Sequence, residues 1–583
     1  MTDRLRELLE LPSTTLFDID DQGRLLVGND AGGTVQLAEI NPDGGWTQLT
    51  ALDEPCTGRY VRGIRGVIVS VDDGGTERAQ LGYLPVGGEL TPLVRDPRFI
   101  HTLLDMGEDF LVYSTNRRNG VDFDVFLRSL VTGGEQIVWL GGGSFESVAV
   151  SPDGHWAVLQ RMTLLAASSE LILVNVDNGE WQTITDNSIP GQWSNPRWID
   201  NDSFIASSDA ASDRVALLRF DVSARSWTDM IKFGDCDVYA WPSPDGRRLA
   251  VVRTIDGADE LLVADLNGNA ARAVPLPGQG TITFRTRLVW SPDSTTLGMT
   301  YSSPTDPAAV LVWSSADGLV QRTKPLSGLE DLVEPESTTV PAPDGEQIPI
   351  YVLTPRRTDG SVVVVVHGGP EAAAVRCWNP VIAALALAGH IVVVPNVRGS
   401  SGYGRRWMSL DDTGKRLDSV ADLAAIHAWL PIIGGDQSRA ALYGGSYGGY
   451  MVLAGLAFQP TLWAAGVDIV GMSSLVTFLQ NTSPYRRAYR EREYGRLDAD
   501  REVLEAASPL NRIKDVRAPL FVIHGANDPR VPLSEAAQVV EAVRSQGLEC
   551  PLLVYSDEGH GLAKRANRLD AYPKVFAFLS RHL

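Results

Sequence analysis

A turn of Ser-Pro-Asp followed by Gly or Ser, set between two β-rich runs, returns along the first half of the chain as "SPDGHWAVLQRM", "SPDGRRLAVVRT" and "SPDSTTLGMTY". Weaker copies are "DIDDQGRLLVGND", "RGIRGVIVSVDD", "LDMGEDFLVYSTN" and "RWIDNDSFIASSD". Aligned on the turn, the copies fall at Gly23, Gly66, Glu108, Gly154, Asp202, Gly246 and Ser294. Their spacing averages about 45 residues, the length of one four-stranded propeller blade. One unit reads in full from Ser147 to Thr185: "SVAVS", the turn "PDG", "HWAVLQRM", then "SELILVNV", the turn "DNG" and "EWQTIT". Seven units of four strands predict a seven-bladed β-propeller over residues 15–325.

Beyond residue 325 the passage "KPLSGLEDLVEPESTTVPAPDGEQIP" has no periodicity and reads as a junction. Continuous apolar strands then alternate with amphipathic helices: "SVVVVVH", "HIVVVPN", "AALYGG" and "LFVIHG" are separated by segments such as "DSVADLAAIHAWL". Strands apolar on both faces belong to a parallel sheet covered on both sides, so residues 326–583 predict a doubly wound, mostly parallel α/β domain. Residues 1–14 are expected to form a helical segment packed on that second domain. The whole length, 583 residues, exceeds what one core supports.

The net charge of −21 argues against nucleic acid as a partner, which requires clustered Lys and Arg. No apolar run reaches the roughly 18 residues of a membrane helix, and the N-terminus has charges throughout, so a cytoplasmic location is expected. Cys56, Cys236, Cys377 and Cys550 lack metal-ligand spacing and are expected to be free thiols. No metal or cofactor is expected, and a homo-oligomer remains compatible with the sequence.

Chemistry is expected in the second domain. "GGSYGG" places Ser446 between an apolar strand and an apolar helix, the strand-turn-helix context in which Gly-x-Ser-x-Gly projects a hydroxyl above a sheet. A serine hydroxyl needs an imidazole to take its proton and a carboxylate to orient that imidazole. In chain order the candidates are Asp528, in the loop after "LFVIHG", and His560, in the loop "DEGHG" after "PLLVY". Two donors must face the developing oxyanion. They are expected to be the backbone N–H groups of Tyr447 and, in "HGGP", of Gly369. Val470, Met472, Leu475 and Phe478 follow the next strand and could line an apolar specificity pocket or pack in the core. Arg530 could touch substrate but is more simply a loop-fixing residue, as is Arg398. "SPYRRAYREREYG" reads as a solvated, ion-paired helix, with one of its arginines a weaker candidate for substrate contact. His367 reads as a structural histidine.

Together "HGGP", "NVRGSSGYG", "GGSYGGYM", "GANDPRVP" and "DEGHG" resemble, in order and spacing, the prolyl oligopeptidase family of serine peptidases. The resemblance covers essentially the whole chain. It implies an N-terminal propeller that screens an α/β-hydrolase, with Ser446, Asp528 and His560 as triad and short peptides or small amides as substrates. "HGGP" and the chain length look most like the acylaminoacyl-peptidase branch, which implies cleavage of short N-acylated peptides. The alternatives are an esterase or amidase acting on small non-peptide compounds, and dipeptidyl peptidase or prolyl oligopeptidase activity. Against the last two, no Glu-Glu pair occurs in the chain, and Tyr447 and His367 stand where prolyl oligopeptidase has Asn and Tyr.

Overall fold

A computed structural model describes residues 2–284 and 286–583. Seven four-stranded antiparallel sheets follow one another along the chain, starting at Thr14, Cys56, His101, Phe145, Trp193, Asp237 and Val289, each with its strands in sequence order. They are the seven blades of a β-propeller. First strands of successive blades lie beside one another, which sets them around the axis of the ring. Apolar side chains from adjacent blades close the space between them, as Leu26, Leu37, Tyr60 and Val67 do between blades one and two.

The repeated turn joins the first strand of each blade to the second. Gly23, Gly154 and Gly246 take left-handed backbone there with φ of 72°, 79° and 63°, and Ser294 does so at 62°. In blade two the left-handed turn residue is Gly63, at φ 67°. Gly66 instead opens the next strand, so the expected alignment there was displaced by three residues. The blade-two copy lacks the Pro-Asp that marks the turn in blades four, six and seven, so its sequence does not tell the strand glycine from the turn glycine.

The remaining sheet has eight strands in the order 336–341, 347–353, 391–395, 362–366, 440–445, 465–469, 520–525 and 552–555. The first two pairings are antiparallel and the other five parallel. Alternating valines of "VVVVV" divide between two cores: Val362, Val364 and Val366 face the one that contains the nucleophile-side helix Tyr447–Phe458, and Val363 and Val365 the other. This is an α/β-hydrolase sheet, and its parallel strands all end at one edge. The N-terminal helix Thr2–Glu10 buries Leu5, Leu8 and Leu9 in the second of those cores, beside Phe576 and Leu579 of the C-terminal helix. Among the described residues no helix is long and apolar enough to cross a membrane.

Candidate active site

Ser446 ends its strand in backbone that only glycine adopts with ease, φ 58° and ψ −118°, while its N–H bonds Ile469 O at 2.8 Å. The neighbouring glycines are required by contact: a Cβ on Gly448 would lie 2.2 Å from Val366 O. Gly368 of "HGGP" sits against this turn, since a Cβ on it would lie 3.5 Å from Ser446 Cβ. The loop from Gly368 to Pro370 therefore borders the serine, with Gly369 at φ 147°.

Asp528 and His560 meet at the same edge. His560 Nδ1 lies 2.7 Å from Asp528 Oδ2, and Asp528 Oδ1 accepts from the backbone N–H groups of Arg530 and Val531 at 2.8 and 3.0 Å. Buried Glu558 braces the histidine loop by accepting from Ala563 N and Lys564 N, both at 2.9 Å. Among the described residues no hydrogen bond joins Ser446 Oγ to His560 Nε2. Burial lowers the pKa of His367, whose Nε2 lies 2.8 Å from Ser400 Oγ, so the imidazole of "HGGP" stays neutral and fixes its loop.

The Tyr447 side chain is 1% exposed, and its hydroxyl lies 2.9 Å from both Asp411 Oδ2 and Ser419 Oγ and 3.1 Å from Arg416 Nη1. What this residue can offer a reactant is its backbone N–H. Arg416 is itself fully buried and pairs with Asp411 and Glu493. Burial holds the Glu493 carboxyl well above the ordinary range, and the nearby Glu371 and Asp411 carboxylates add to the rise. Asp412 is pushed up to about 7, mainly by burial and by the nearby Asp411. Ligand atoms of Asp411, Asp412 and Glu493 lie within 4.8 Å of one another, the one such carboxylate group among the described residues, with Arg416 already bonded to two of its members.

The four apolar candidates do not form one wall. Met472, Leu475 and Phe478 pack in the core beneath the Tyr447–Phe458 helix, whereas Val470 belongs to the core on the other face of the sheet. Arg530 bonds Glu77 of the propeller at 2.5 Å, on the hairpin that joins the second and third strands of blade two. The helix Pro484–Tyr494 is not simply solvated. Arg492 reaches Glu371 Oε2 at 3.0 Å and the propeller carbonyls of Thr163 and Ser168 at 3.0 and 2.9 Å, and Glu493 is buried. An alternation of Arg and Glu reads the same whether water or another domain covers it.

Two contributions of the propeller carried no sequence signal. In "DDGGTERA" a Cβ on Gly75 would stand 2.4 Å from Gly559 N, directly beside His560, and Asn527 Nδ2 donates to Gly74 O at 2.9 Å. Glu371, just past Pro370, accepts from Ala167 N of blade four at 2.7 Å. A further buried carboxyl, Asp468, lies under the turn with neither oxygen partnered among the described residues; burial pushes it up to about 7.

A parallel sheet of this strand order, covered at its C-terminal edge by a seven-bladed propeller, defines an α/β-hydrolase of the propeller-bearing class. Residues 375–583 match the model described as the prolyl oligopeptidase family, so this part of the chain is a serine peptidase domain of that kind. The chain is similar to the dipeptidyl aminopeptidase BIII of Pseudoxanthomonas mexicana, 26% identical over 93% of this chain and 85% of that protein. It is also 26% identical to the mouse acylamino-acid-releasing enzyme, over 40% of this chain and 32% of the other. The fold matches a puromycin-hydrolyzing peptidase of Mycobacterium tuberculosis with a TM-score of 0.87 at 19% identity, over all of this chain and 96% of that one.

Proposed function

We propose that Ser446 is the nucleophile, His560 its base and Asp528 the orienting acid in the cleavage of short peptides. Ser446 Oγ attacks the scissile carbonyl as its proton passes to His560 Nε2; the C–N bond then breaks and the amine leaves with that proton. Water, activated by the same imidazole, hydrolyses the acyl-enzyme ester and restores the serine. Asp528 keeps the imidazole in the tautomer with its proton on Nδ1. The N–H groups of Tyr447 and Gly369 receive the oxyanion. The observation that carries this reading is the 2.7 Å contact of Asp528 with His560, at the edge where Ser446 holds its strained turn.

The propeller limits substrate size in this reading, because its hairpins rest on the loops that carry Asp528, His560 and Glu371. A cavity of about 410 Å³ lies between the propeller and the loops around Val375 and Gly402, and none of Ser446, Asp528 and His560 lines it. Substrates with an acylated amino end are the first reading, supported by the acylamino-acid-releasing relative. A second, removal of dipeptides from a free amino end, is favoured by the dipeptidyl aminopeptidase relative and by the Glu371 carboxylate, 18% exposed beside the "HGGP" loop and able to hold an ammonium. Small non-peptide amides or esters, with the same triad, are the third.

The test is a panel of chromogenic acyl-amino-acid amides, free-amine dipeptide amides, internal-proline peptides and simple esters, against wild type and Ser446→Ala. The variant is expected to lose at least about 10⁴-fold in kcat with an unchanged melting temperature. Turnover that persists in it sinks the mechanism. The preferred member of the panel decides between the substrate readings.

A further inference from the structure

The buried charges around Arg416 reach both sides of the oxyanion site. On one side Arg416 and Asp411 hold the Tyr447 hydroxyl at 3.1 and 2.9 Å. The Arg416 guanidinium also stacks over the Tyr447 and Tyr494 rings, 5.2 and 4.8 Å from their centroids. It then donates to the Glu493 carboxylate and, at 3.1 Å, to the Glu493 carbonyl. Arg492, the residue before, carries the connection to Glu371 at 3.0 Å. Glu371 directly follows Pro370 in the loop whose Gly368 borders Ser446. One helical end, residues 492–494, thus grips the Tyr447 side chain through Arg416 and the "HGGP" loop through Glu371.

We propose that Arg416, Glu493 and Arg492 are positioning residues that keep the two oxyanion donors, Tyr447 N–H and Gly369 N–H, at a fixed separation. The proposal rests on Ser446 being the nucleophile. Donor placement matters because an oxyanion hole works by preorganisation: its dipoles must already point at the charge as it forms. A misplacement of about 1 Å in such a site costs up to about 10²-fold. The ground state makes no such demand, so loosening the grip lowers kcat and leaves KM in place.

Tyr447→Phe removes the gripped hydroxyl and keeps the backbone N–H. With an N-acylated amide substrate, its kcat is expected to fall about tenfold and its KM to stay within twofold. Affinity for a peptidyl trifluoromethyl ketone, which forms the tetrahedral oxyanion on the serine, is expected to weaken by the same factor as kcat/KM. Binding of the free N-acyl amino acid product is expected not to change. Arg492→Lys, at the other end of the grip, is expected to show the same pattern at about threefold or more, and it carries the test if Tyr447→Phe does not fold. A kcat within twofold of wild type in both variants overturns the proposal, as does a lower kcat with unchanged ketone affinity. Activity surviving in Ser446→Ala would instead bring down the nucleophile assignment beneath it.

Discussion

The propeller spreads its polar loops over seven near-equivalent blades, whereas the hydrolase sheet gathers the ends of all its parallel strands at one edge. A ring of repeats has no position that differs from six others unless the sequence breaks the pattern. A parallel sheet is polar by construction, with every Cα→C direction of its parallel strands pointing to the same rim. Ser446, Asp528 and His560 all lie just past strand ends at that rim. The propeller meets the loops around them through, among other contacts, the "DDGGTERA" hairpin of blade two beside Gly559 and the Thr163–Ser168 turn of blade four at Arg492.

If the propeller were a passive cover, changes in that hairpin would leave the chemical step alone. Gly75→Val, which drives a side chain into Gly559 N, is expected to lower kcat by at least about tenfold by displacing the His560 loop. Gly179→Val is the matched control, because Gly179 has the same left-handed backbone, φ 75°, and open space around it. Its kcat is expected to stay within twofold; equal losses in both would reduce the effect to backbone strain.

On the hydrolase side the sharper test is electrostatic. Asp468 is pushed up to about 7 by burial, against an ordinary value of 3.8. From about pH 4 to 7 the folded protein therefore keeps a proton that the unfolded chain has released. Stability falls as pH rises through that window, by at most about 4 kcal/mol. Asp468→Asn removes this slope, so its melting temperature relative to wild type is expected to climb between pH 4.5 and pH 8. Parallel curves would show that Asp468 ionises freely in the fold.

The smallest effect belongs to the Glu77–Arg530 pair, whose side chains are 27% and 44% exposed. Such pairs are worth about 1 kcal/mol or less. Glu77→Gln is expected to change kcat less than twofold and KM by about threefold at most, read at low and high salt. A larger change in kcat would promote blade two from docking surface to part of the reacting site.

These contrasts follow what could be read in the sequence. The repeat was legible because the turn chemistry recurs, and the rim positions because Gly-x-Ser-x-Gly, "GANDP" and "DEGHG" each follow an apolar run. What could not be read depends on partners far along the chain. Nothing in "DDGGTERA" announces that Gly75 will meet Gly559, because the need for two glycines arises only when two backbones touch. Arg416 lies in a stretch that scans as an ordinary amphipathic helix start, and its burial among Asp411, Glu493 and Tyr447 is decided by three separate segments. The apolar run after Asp468 has the right character for a pocket, yet the backbone turns at Val470, φ 50°, just past the strand end, and Val470 packs in one core while Met472, Leu475 and Phe478 pack in the other.

The first helix, seated against the last one, gives the chain an unusual itinerary: it sets out from the hydrolase, travels the full ring, and comes home. Both ends of the ring are thereby moored to the same body, and Leu16 N bonds Thr300 Oγ1 at 2.9 Å where blade one meets blade seven. A protease nick in any single blade would sever the peptide without freeing either fragment, since each keeps an anchor in the hydrolase core. Native mass would survive such a cut, and only denaturation would reveal it.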